Sequence, residues 1–253
     1  MNILYKLGIY LALLLCMPHA VQTKPKVVLS MIMRNEAGRK LKECIEEANH
    51  YIDLAVIIDD NSSDNSVEIC QQILGDKLIL IHNDRSKFSN EVTLRKQQWE
   101  ETIKTNPDWI LNIDADQIFE IKMRDEINNL INQDQIDVFY FRLYDFWNET
   151  HYRDDHYWCG HKSYTPFLIR YRKDFVQRWR ETPQHCGRFP QSCMELPGAC
   201  NAMRIKHYGW ANVEDRAAKY YRYMQLDPGG KYGWQAQYDS ILDPNPNLVE
   251  WIE

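Results

Sequence analysis

Two aspartates separated by a single residue, Asp114 and Asp116, directly follow the apolar run 109–113. Carboxylates at the end of a buried strand lose hydration, and only a cation or hydrogen-bond donors offset that loss. Their hard oxygens suit Mg²⁺ or Mn²⁺, which would take further ligands from diphosphate oxygens and water. An aspartate-rich turn would produce the same tripeptide, so its position after a strand is what favours a metal site.

A second acidic pair, Asp59 and Asp60, occupies the equivalent position after the apolar run 54–58. A carboxylate at this point can accept hydrogen bonds from a nucleobase N–H group or, when protonated, also donate one. Ribose hydroxyls are equally suitable donors. The alternative is a polar turn at 61–64 in which Ser63 or Asp64 caps the next helix.

Three basic residues, Arg216, Lys219 and Arg222, are spaced three apart in a segment predicted to be helical. This spacing puts them on one face of a helix. Such a face could neutralise the charge of a leaving diphosphate. A basic helix face that is merely solvated is the alternative.

The elements that must position these residues alternate between strand and helix through the first half of the chain. Apolar runs bounded by polar residues predict buried strands at 26–33, 54–58, 77–82 and 109–113. Apolar residues at three-and-four spacing predict helices between them, at 39–50, 67–73 and 90–104. This alternation predicts an α/β fold with a doubly wound, mostly parallel sheet, in which ligands bind beyond the carboxyl ends of the strands.

The second half of the chain is less regular. The pattern predicts a helix at about 122–132, strands at 138–143, 166–171 and 203–207, and a helix at 214–226. One stretch is dense in aromatic residues, which suit a sugar-binding surface or a core: Tyr144, Phe146, Trp147, Tyr152, Tyr157 and Trp158. We therefore expect a smaller, irregular lobe over the same edge of the sheet.

Composition limits the possible partners. The chain has 253 residues, of which 44% are hydrophobic, and a formal net charge of −6. These values suit a globular protein with a substantial core and give no general attraction to nucleic acid.

The N-terminal segment bears on the compartment. An apolar run at 7–17 is shorter than the ~20 residues that span a bilayer as a helix, so residues 1–23 are predicted to be a signal-like or anchor segment. A cytoplasmic or membrane-associated location is expected, or the lumen of the secretory pathway if the segment acts as a signal. Loss of Cys16 would leave six cysteines, which an oxidising compartment could pair; free thiols in a reducing cytoplasm are the alternative.

Three segments together resemble the signatures of family 2 glycosyltransferases. They are Arg34-Asn35-Glu36 after the first strand, Asp59-Asp60-Asn61-Ser62-Ser63-Asp64, and Leu111-Asn112-Ile113-Asp114-Ala115-Asp116. Their order and spacing match over roughly residues 27–120, and the similarity is weaker beyond. The resemblance implies a GT-A fold, a nucleotide-diphosphate sugar donor with a leaning to UDP, and transfer to an acceptor hydroxyl with inversion. It also implies a divalent metal, Mn²⁺ or Mg²⁺, held mainly by Asp116.

The same resemblance implies roles for the donor-binding residues. Asn35, Glu36, Asp59 and Asp60 would border the nucleoside, Arg95 would lie near the ribose or diphosphate, and Asp114 would support the donor sugar or ribose. Residues 24–120 would form the nucleotide-sugar-binding half of one catalytic domain and 121–253 its acceptor-binding half. The acceptor would be a carbohydrate or glycolipid, as in the synthesis of cell-surface polysaccharide or glycolipid.

His207 is the candidate for a second metal ligand. It resembles the late histidine that completes the metal shell in several GT-A enzymes, and imidazole favours Mn²⁺ over Mg²⁺. A hydrogen-bonded core histidine is the alternative reading.

Inverting transfer also needs a general base that takes the proton of the acceptor hydroxyl. Glu181 is the first candidate, because the segment before it resembles one that leads to an acceptor-facing glutamate in lipopolysaccharide-core relatives. Those relatives usually carry histidine where Arg180 stands here. Asp145, just after the predicted strand 138–143, is the rival candidate.

Two other classes of protein compete with this interpretation. A phosphohydrolase could use Asp114 as a nucleophile, but that motif belongs near the first strand of such a chain and is followed closely by Thr or Ser. Gln117-Ile118-Phe119 follows here. An exported, non-catalytic carbohydrate-binding protein that uses the aromatic stretch is the second alternative.

Overall fold

The computed structural model describes residues 24–253, so the predicted signal-like or anchor segment at 1–23 lies outside the described residues. Its main feature is an eight-stranded sheet to which both halves of the chain contribute. Across residues 24–253, no helix has both the length and the apolar character needed to cross a membrane.

The first half of the chain forms the parallel part of the sheet. Its strands are β1 (Val27–Met33), β2 (Leu54–Asp59), β3 (Leu78–His82) and β4 (Trp109–Asn112), all paired in parallel. Helices α1 (Leu41–Ala48), α2 (Ser66–Leu74) and α3 (Glu91–Ile103) connect them. Every residue of β1 is buried, as expected for a strand covered on both faces. The predicted α/β fold with a mostly parallel sheet is confirmed.

The second half extends the same sheet. It contains β5 (Gln117–Phe119), α4 (Met123–Ile131), β6 (Val138–Asp145), β7 (His151–Arg153), β8 (Thr165–Arg170), β9 (Gly198–His207), α5 (Val213–Leu226), α6 (Gln235–Asp239) and β10 (Leu248–Glu250). Strand β8 is antiparallel to both β4 and β6, whereas β9 is parallel to β6. Strands β7 and β10 form a separate two-stranded sheet. The two halves therefore share one sheet, in the strand order β3-β2-β1-β4-β8-β6-β9-β5.

The sequence pattern did not predict the short strands β5, β7 and β10, each of three residues. Three residues are too few to show a period of two, so pairing with a neighbour decides their conformation. Strand β9 also begins earlier than predicted, because its first residues pair with the start of β6.

The aromatic stretch of the second half is mostly core. Trp147 and Trp158 are each 4% exposed and pack with Trp210, Tyr238 and Ile241 in a separate hydrophobic cluster. This favours the core alternative over a sugar-binding surface for these two tryptophans. The six cysteines among residues 24–253 are all free thiols.

Strand register brings distant residues to one edge of the sheet. Strands β6 and β9 pair Asp145 with His207, and β5 and β9 pair Gln117 with His207. Asp116 directly precedes Gln117. Asp116, Asp145 and His207 therefore meet at the carboxyl ends of β6 and β9, the position where α/β folds bind ligands.

Candidate active site

A cavity of about 450 Å³ opens at this edge of the sheet. Its walls come from the residues after β1, the Asp114-Ala115-Asp116 segment, α3, the end of β9, α5, and the pair Gln184 and His185. Loops and helix faces separated by more than a hundred residues thus converge on one concave surface.

Asp116 lies at the centre of the charged part of this cavity. Its Oδ1 is 3.6 Å from Nε2 of His207, and its Oδ2 is 3.7 Å from Nζ of Lys219. The backbone carbonyl of Asp116 accepts a hydrogen bond from the Tyr208 amide at 2.8 Å, which holds the loop in place. Oδ1 is buried and has no hydrogen-bond partner among the described residues. Such an oxygen is costly to bury unless something binds it.

Asp145 orients the His207 imidazole. Oδ1 of Asp145 lies 2.7 Å from Nδ1 of His207, which leaves Nε2 as the ring nitrogen that faces Asp116. Burial lowers the pKa of His207, but the carboxylates of Asp116 and Asp145 outweigh that effect and the pKa is raised. A carboxylate behind a histidine is the usual arrangement that orients a metal-binding imidazole.

Gly209 makes room for these groups to converge. A Cβ at this position would lie 2.4 Å from Nζ of Lys219, 2.6 Å from Nε2 of His207 and 2.7 Å from Oδ2 of Asp116. Any side chain would therefore fill the space between the three groups. Lys219 also donates a hydrogen bond to the Gly209 carbonyl at 2.6 Å, and burial lowers the pKa of its ammonium group.

The residues present fit a divalent cation that also binds a ligand. Asp116 offers an unpartnered carboxylate oxygen and His207 an oriented imidazole, a set that suits Mn²⁺. Within residues 24–253, no cluster of three or more His, Cys, Asp or Glu side chains could hold a metal ion by itself. A cation here would need oxygen ligands from a bound diphosphate or from water.

Asp114 has a different environment from Asp116. Its Oδ1 lies 3.1 Å from Nη2 of Arg95, and its Oδ2 lies 2.9 Å from Nη1 of Arg188. Gln117 donates a further bond to Oδ2 at 3.1 Å. Burial raises the pKa of the Asp114 carboxyl, but the two guanidinium groups outweigh it and hold the pKa well below its usual range. Asp114 is thus held in an ion-pair network, whereas Asp116 keeps one buried carboxylate oxygen that no described residue hydrogen-bonds.

Glu36 and Asn35 line the cavity where β1 ends. Oε1 of Glu36 accepts a bond from Nη1 of Arg39 at 3.1 Å, while its Oε2 is buried and has no partner in the described chain. Burial raises the pKa of Glu36 to about 7; the negative charge of Asp116 adds to the shift and Arg39 opposes it. Asn35 has a positive φ of 55°, and its Oδ1 accepts a bond from the Ser63 amide at 2.8 Å.

Asp59 and Asp60 do not form part of the cavity wall. Both are 0% exposed. Oδ2 of Asp59 lies 2.6 Å from Nδ1 of His82, and Oδ1 of Asp60 accepts bonds from Asn83 and Lys87. Their oxygens fix the ends of β2 and β3.

The turn after β2 binds the neighbouring loop. Oδ1 of Asp64 accepts a bond from the Ser66 amide at 3.1 Å, and Oδ2 accepts one from the Ala37 amide at 3.0 Å. Asp64 therefore binds the amide of the first helical residue of α2 and also holds the loop after β1, whereas the N-cap residue is Asn65, not Ser63 or Asp64.

The three basic residues of α5 have different surroundings. Lys219 and Arg222 line the cavity, whereas Arg216 does not. Nη1 of Arg216 donates to the carbonyls of Trp147 and Trp210 at 2.8 and 2.5 Å, so its guanidinium is used to hold the lobe together.

Glu181 lies outside the cavity. Its side chain is 65% exposed, and Oε1 forms a surface ion pair with Nζ of Lys96 at 2.6 Å. It lines a separate shallow depression with Trp179 and Arg178. The residues between β8 and Glu181 pack against α3, where Tyr171, Phe175 and Trp179 contact Trp99.

The sequence analysis missed several residues at or beside the site: Glu91, His185 and Tyr223 line the cavity, and Arg188 forms an ion pair with Asp114. Arg188 is 74 positions from Asp114, and no spacing rule links them. His185 has a positive φ of 55°, a conformation that non-glycine residues adopt rarely and often at functional sites. Only the folded backbone reveals that feature.

Comparison with known proteins identifies the family. The model of the family described as Glycosyl transferase family 2 matches residues 29–194, well over half of the chain. This chain belongs to glycosyl transferase family 2. The resemblance seen in the sequence is confirmed, and so, at the level of the family, is the predicted class of enzyme.

Two relatives are each named an uncharacterized glycosyltransferase, one from Rickettsia felis and one from Rickettsia bellii. Each is 31% identical to this chain over 121 residues, which is 47% of this chain. The matched region covers 39% of the first relative and 38% of the second. The family 2 chain thus spans about two fifths of the length of the relatives it matches.

Solved structures of S. aureus TarS share the fold. One superposes with a TM-score of 0.54 at 13% sequence identity, covering 86% of this chain and 42% of that chain. TarS 1-349 in complex with UDP-GlcNAc gives a TM-score of 0.51 at 14% identity, covering 86% of this chain and 70% of that chain. At this level of identity the likeness shows the fold alone.

Proposed function

We propose that this family 2 chain is an inverting glycosyltransferase that moves a sugar from a nucleotide-diphosphate donor, a UDP-sugar, to an acceptor hydroxyl. The observation that carries the proposal is the unpartnered carboxylate oxygen of Asp116, which faces His207 in a cavity that also contains Lys219. The UDP-GlcNAc complex of TarS 1-349, which shares the fold, supports a nucleotide-sugar donor.

Asp116 and His207 are the residues that would hold the cation. When bound, Mn²⁺ or Mg²⁺ would neutralise the negative charge that develops on the leaving diphosphate. Asp145 holds the His207 imidazole so that Nε2 faces the Asp116 carboxylate. Lys219, 3.7 Å from Asp116, is the side chain best placed to add a second positive charge against the diphosphate.

The remaining cavity residues would bind the donor. Asn35 and Glu36 border the cavity where β1 ends and would contact the nucleoside. Asp114 is bound to Arg95 and Arg188, so we assign it to positioning those two guanidinium groups and the donor sugar. We assign Asp59 and Asp60 an indirect role in donor binding, because they hold the loops that flank this end of the sheet.

We assign acceptor binding to the second half of the chain. A carbohydrate or glycolipid hydroxyl would approach past α5, where Tyr223 and Trp210 line the cavity. Aromatic faces of this kind stack on the apolar faces of sugar rings. Membrane association through residues 1–23 would place a glycolipid acceptor near the enzyme.

A ligand screen tests this proposal. Full-length protein is incubated with Mn²⁺ and UDP-GlcNAc, UDP-glucose, UDP-galactose or GDP-mannose, and both thermal unfolding and nucleotide release are followed. One donor at 100 times its Kd should stabilise the fold by about 2.7 kcal/mol. EDTA should remove both the stabilisation and the release of nucleotide.

Two variants complete the screen. Asp116→Asn should lose both responses, whereas Asp76→Asn, on an exposed turn after α2, should keep them. Turnover of p-nitrophenyl phosphate without nucleotide-sugar turnover would instead indicate a phosphohydrolase. Binding of free oligosaccharide with no response to any nucleotide sugar would indicate a carbohydrate-binding protein.

A further inference from the structure

His185 is a cavity residue with a built network behind it. Its Nε2 lies 2.6 Å from the hydroxyl of Tyr238, and that hydroxyl donates a hydrogen bond to Oδ2 of Asp227 at 2.9 Å. The imidazole lines the same cavity as Asp116 and Lys219. Asp227, Tyr238 and His185 form a hydrogen-bonded series that runs from a buried carboxylate to the wall of the active site.

The positions of the hydrogen atoms in this hydrogen-bonded series follow from the number of hydrogens that each group carries. A phenol has one hydrogen, and Asp227 receives it from Tyr238. The short contact between Tyr238 and His185 therefore needs its hydrogen from Nε2 of the imidazole. Burial, and then the bond to Asp227, raise the pKa of Tyr238, so the phenol stays protonated. In the neutral imidazole the lone pair then lies on Nδ1.

The carboxylate at the far end is rigidly held. Asp227 is 0% exposed, and its oxygens accept bonds from the amides of Tyr232 and Gly233 at 2.8 to 3.2 Å. Gly233 cannot carry a side chain here, because a Cβ would lie 1.8 Å from the Tyr238 hydroxyl and 2.9 Å from Nε2 of His185. The backbone is thus shaped to let the hydroxyl and the imidazole meet.

Stacked rings fix the orientation of the imidazole. The ring of Tyr223 lies 5.8 Å from that of His185 at 29°, and 4.6 Å from that of Tyr238 at 7°. Tyr223 follows Lys219 by four residues on α5, so one helical turn, about 5–6 Å between Cβ atoms, separates the residue that stacks on His185 from the residue that contacts Asp116. His185 therefore stacks on the helix face that also carries Lys219, and both side chains line the same cavity.

We propose that His185 is the general base of the transfer reaction and that Tyr238 and Asp227 are its positioning residues. This rests on the glycosyltransferase function proposed above. The two carboxylates considered from the sequence are used elsewhere: Glu181 is on the outer surface with Lys96, and Asp145 binds Nδ1 of His207.

In the proposed step, the acceptor oxygen forms a bond to the anomeric carbon while its proton moves to Nδ1 of His185. The bond between the anomeric carbon and the diphosphate oxygen breaks, and its electron pair leaves with the nucleotide. The Nε2–H group of the imidazolium still donates a hydrogen bond to the Tyr238 hydroxyl. Through this hydroxyl, the Asp227 carboxylate stabilises the positive charge. The proton on Nδ1 passes to solvent after the products leave.

Kinetics separate this role from a structural one. With UDP-GlcNAc, Mn²⁺ and water as acceptor, His185→Gln should lower kcat by about 10² to 10⁴ while the KM for UDP-GlcNAc changes less than twofold. Glutamine can still donate to Tyr238, so the fold is kept. Tyr238→Phe should lower kcat by about tenfold, again with KM unchanged. His50→Gln, at an exposed histidine after α1, is the matched control and should behave as wild type.

The outcomes are distinct. If wild-type protein binds UDP-GlcNAc with Mn²⁺ and turns it over, but His185→Gln keeps normal kcat, the base assignment is wrong and the proposed function stands. If wild-type protein neither binds nor turns over any nucleotide sugar, the proposed function fails and the base assignment fails with it. Nitrogen NMR of the His185 ring gives a readout that needs no turnover: we expect the Nε2–H form in wild type, and an Nδ1–H form would overturn the proposal.

Discussion

Nδ1 of His207 lies 2.7 Å from Oδ1 of Asp145 because the parallel strands β6 and β9 pair these two residues at their carboxyl ends. The contact leaves Nε2 of His207 facing Asp116. Asp145 is a candidate base in the sequence, and this contact gives it another role, because it orients the imidazole that we propose as a metal ligand.

The first prediction separates these two roles. Asp145→Asn should weaken Mn²⁺ binding by about 10- to 100-fold, because the imidazole loses the carboxylate that orients it. Calorimetric titration of Mn²⁺ in the presence of UDP measures this affinity. Asp174→Asn, at an exposed site beyond β8, is the control. An unchanged Mn²⁺ affinity with a large loss of turnover would return the general-base role to Asp145.

A second prediction concerns the space beside Gly209. Gly209→Ala should weaken binding of UDP with Mn²⁺ by at least about tenfold, or about 1.4 kcal/mol, because a Cβ would lie within 2.4 to 2.7 Å of the three groups around it. Gly38→Ala is the matched control, since a Cβ there meets nothing within 4 Å. Equal affinities for the two variants would show that the charged groups can move apart without loss.

A third prediction concerns the ion pair between Asp114 and Arg188. Arg188→Met should lower the free energy of unfolding by about 1.5–3 kcal/mol, the usual value of a hydrogen bond to a charged group, while Arg95 still holds Oδ1. Urea denaturation measures the change. Arg178→Met removes an exposed pair with Glu195 and should cost less than about 1 kcal/mol. A loss for Arg188→Met no greater than this control would contradict a structural role.

A fourth prediction uses the pKa of Glu36, which is raised from 4.5 to about 7. Between these values the folded protein binds more protons than the unfolded chain, so this carboxyl favours folding at low pH and loses that contribution as pH rises through 7. In EDTA, Glu36→Gln should therefore raise the free energy of unfolding relative to wild type at pH 8, by at most on the order of 3 kcal/mol.

The advantage of Glu36→Gln should disappear below about pH 3.5, where the wild-type carboxyl is protonated in both states. Arg39 keeps its bonds to Asp215 in the variant, so no charge is left unpaired. Glu46→Gln, on the exposed face of α1, should show no such pH dependence. A pH-independent difference between wild type and Glu36→Gln would show that burial does not control this group.

Much of the fold could be predicted because local patterns are strong in the first half. The continuous apolar runs of β1, β2 and β4 and the three-and-four spacing of α1 identify their elements without any knowledge of neighbours. The short strands β5, β7 and β10 could not be predicted, because only hydrogen bonds to a partner strand make them extended.

The sequence by itself determined the family, the α/β architecture, and the prominence of Asp114 and Asp116 after a buried strand, because these depend on residue types at short spacings. Only the tertiary structure decided which partners each of these two aspartates has. Asp114 binds Arg95 and Arg188, while Asp116 keeps an oxygen free beside His207. These partners lie about 20 to 90 positions away, and only the register of strands and the packing of helices brings them together.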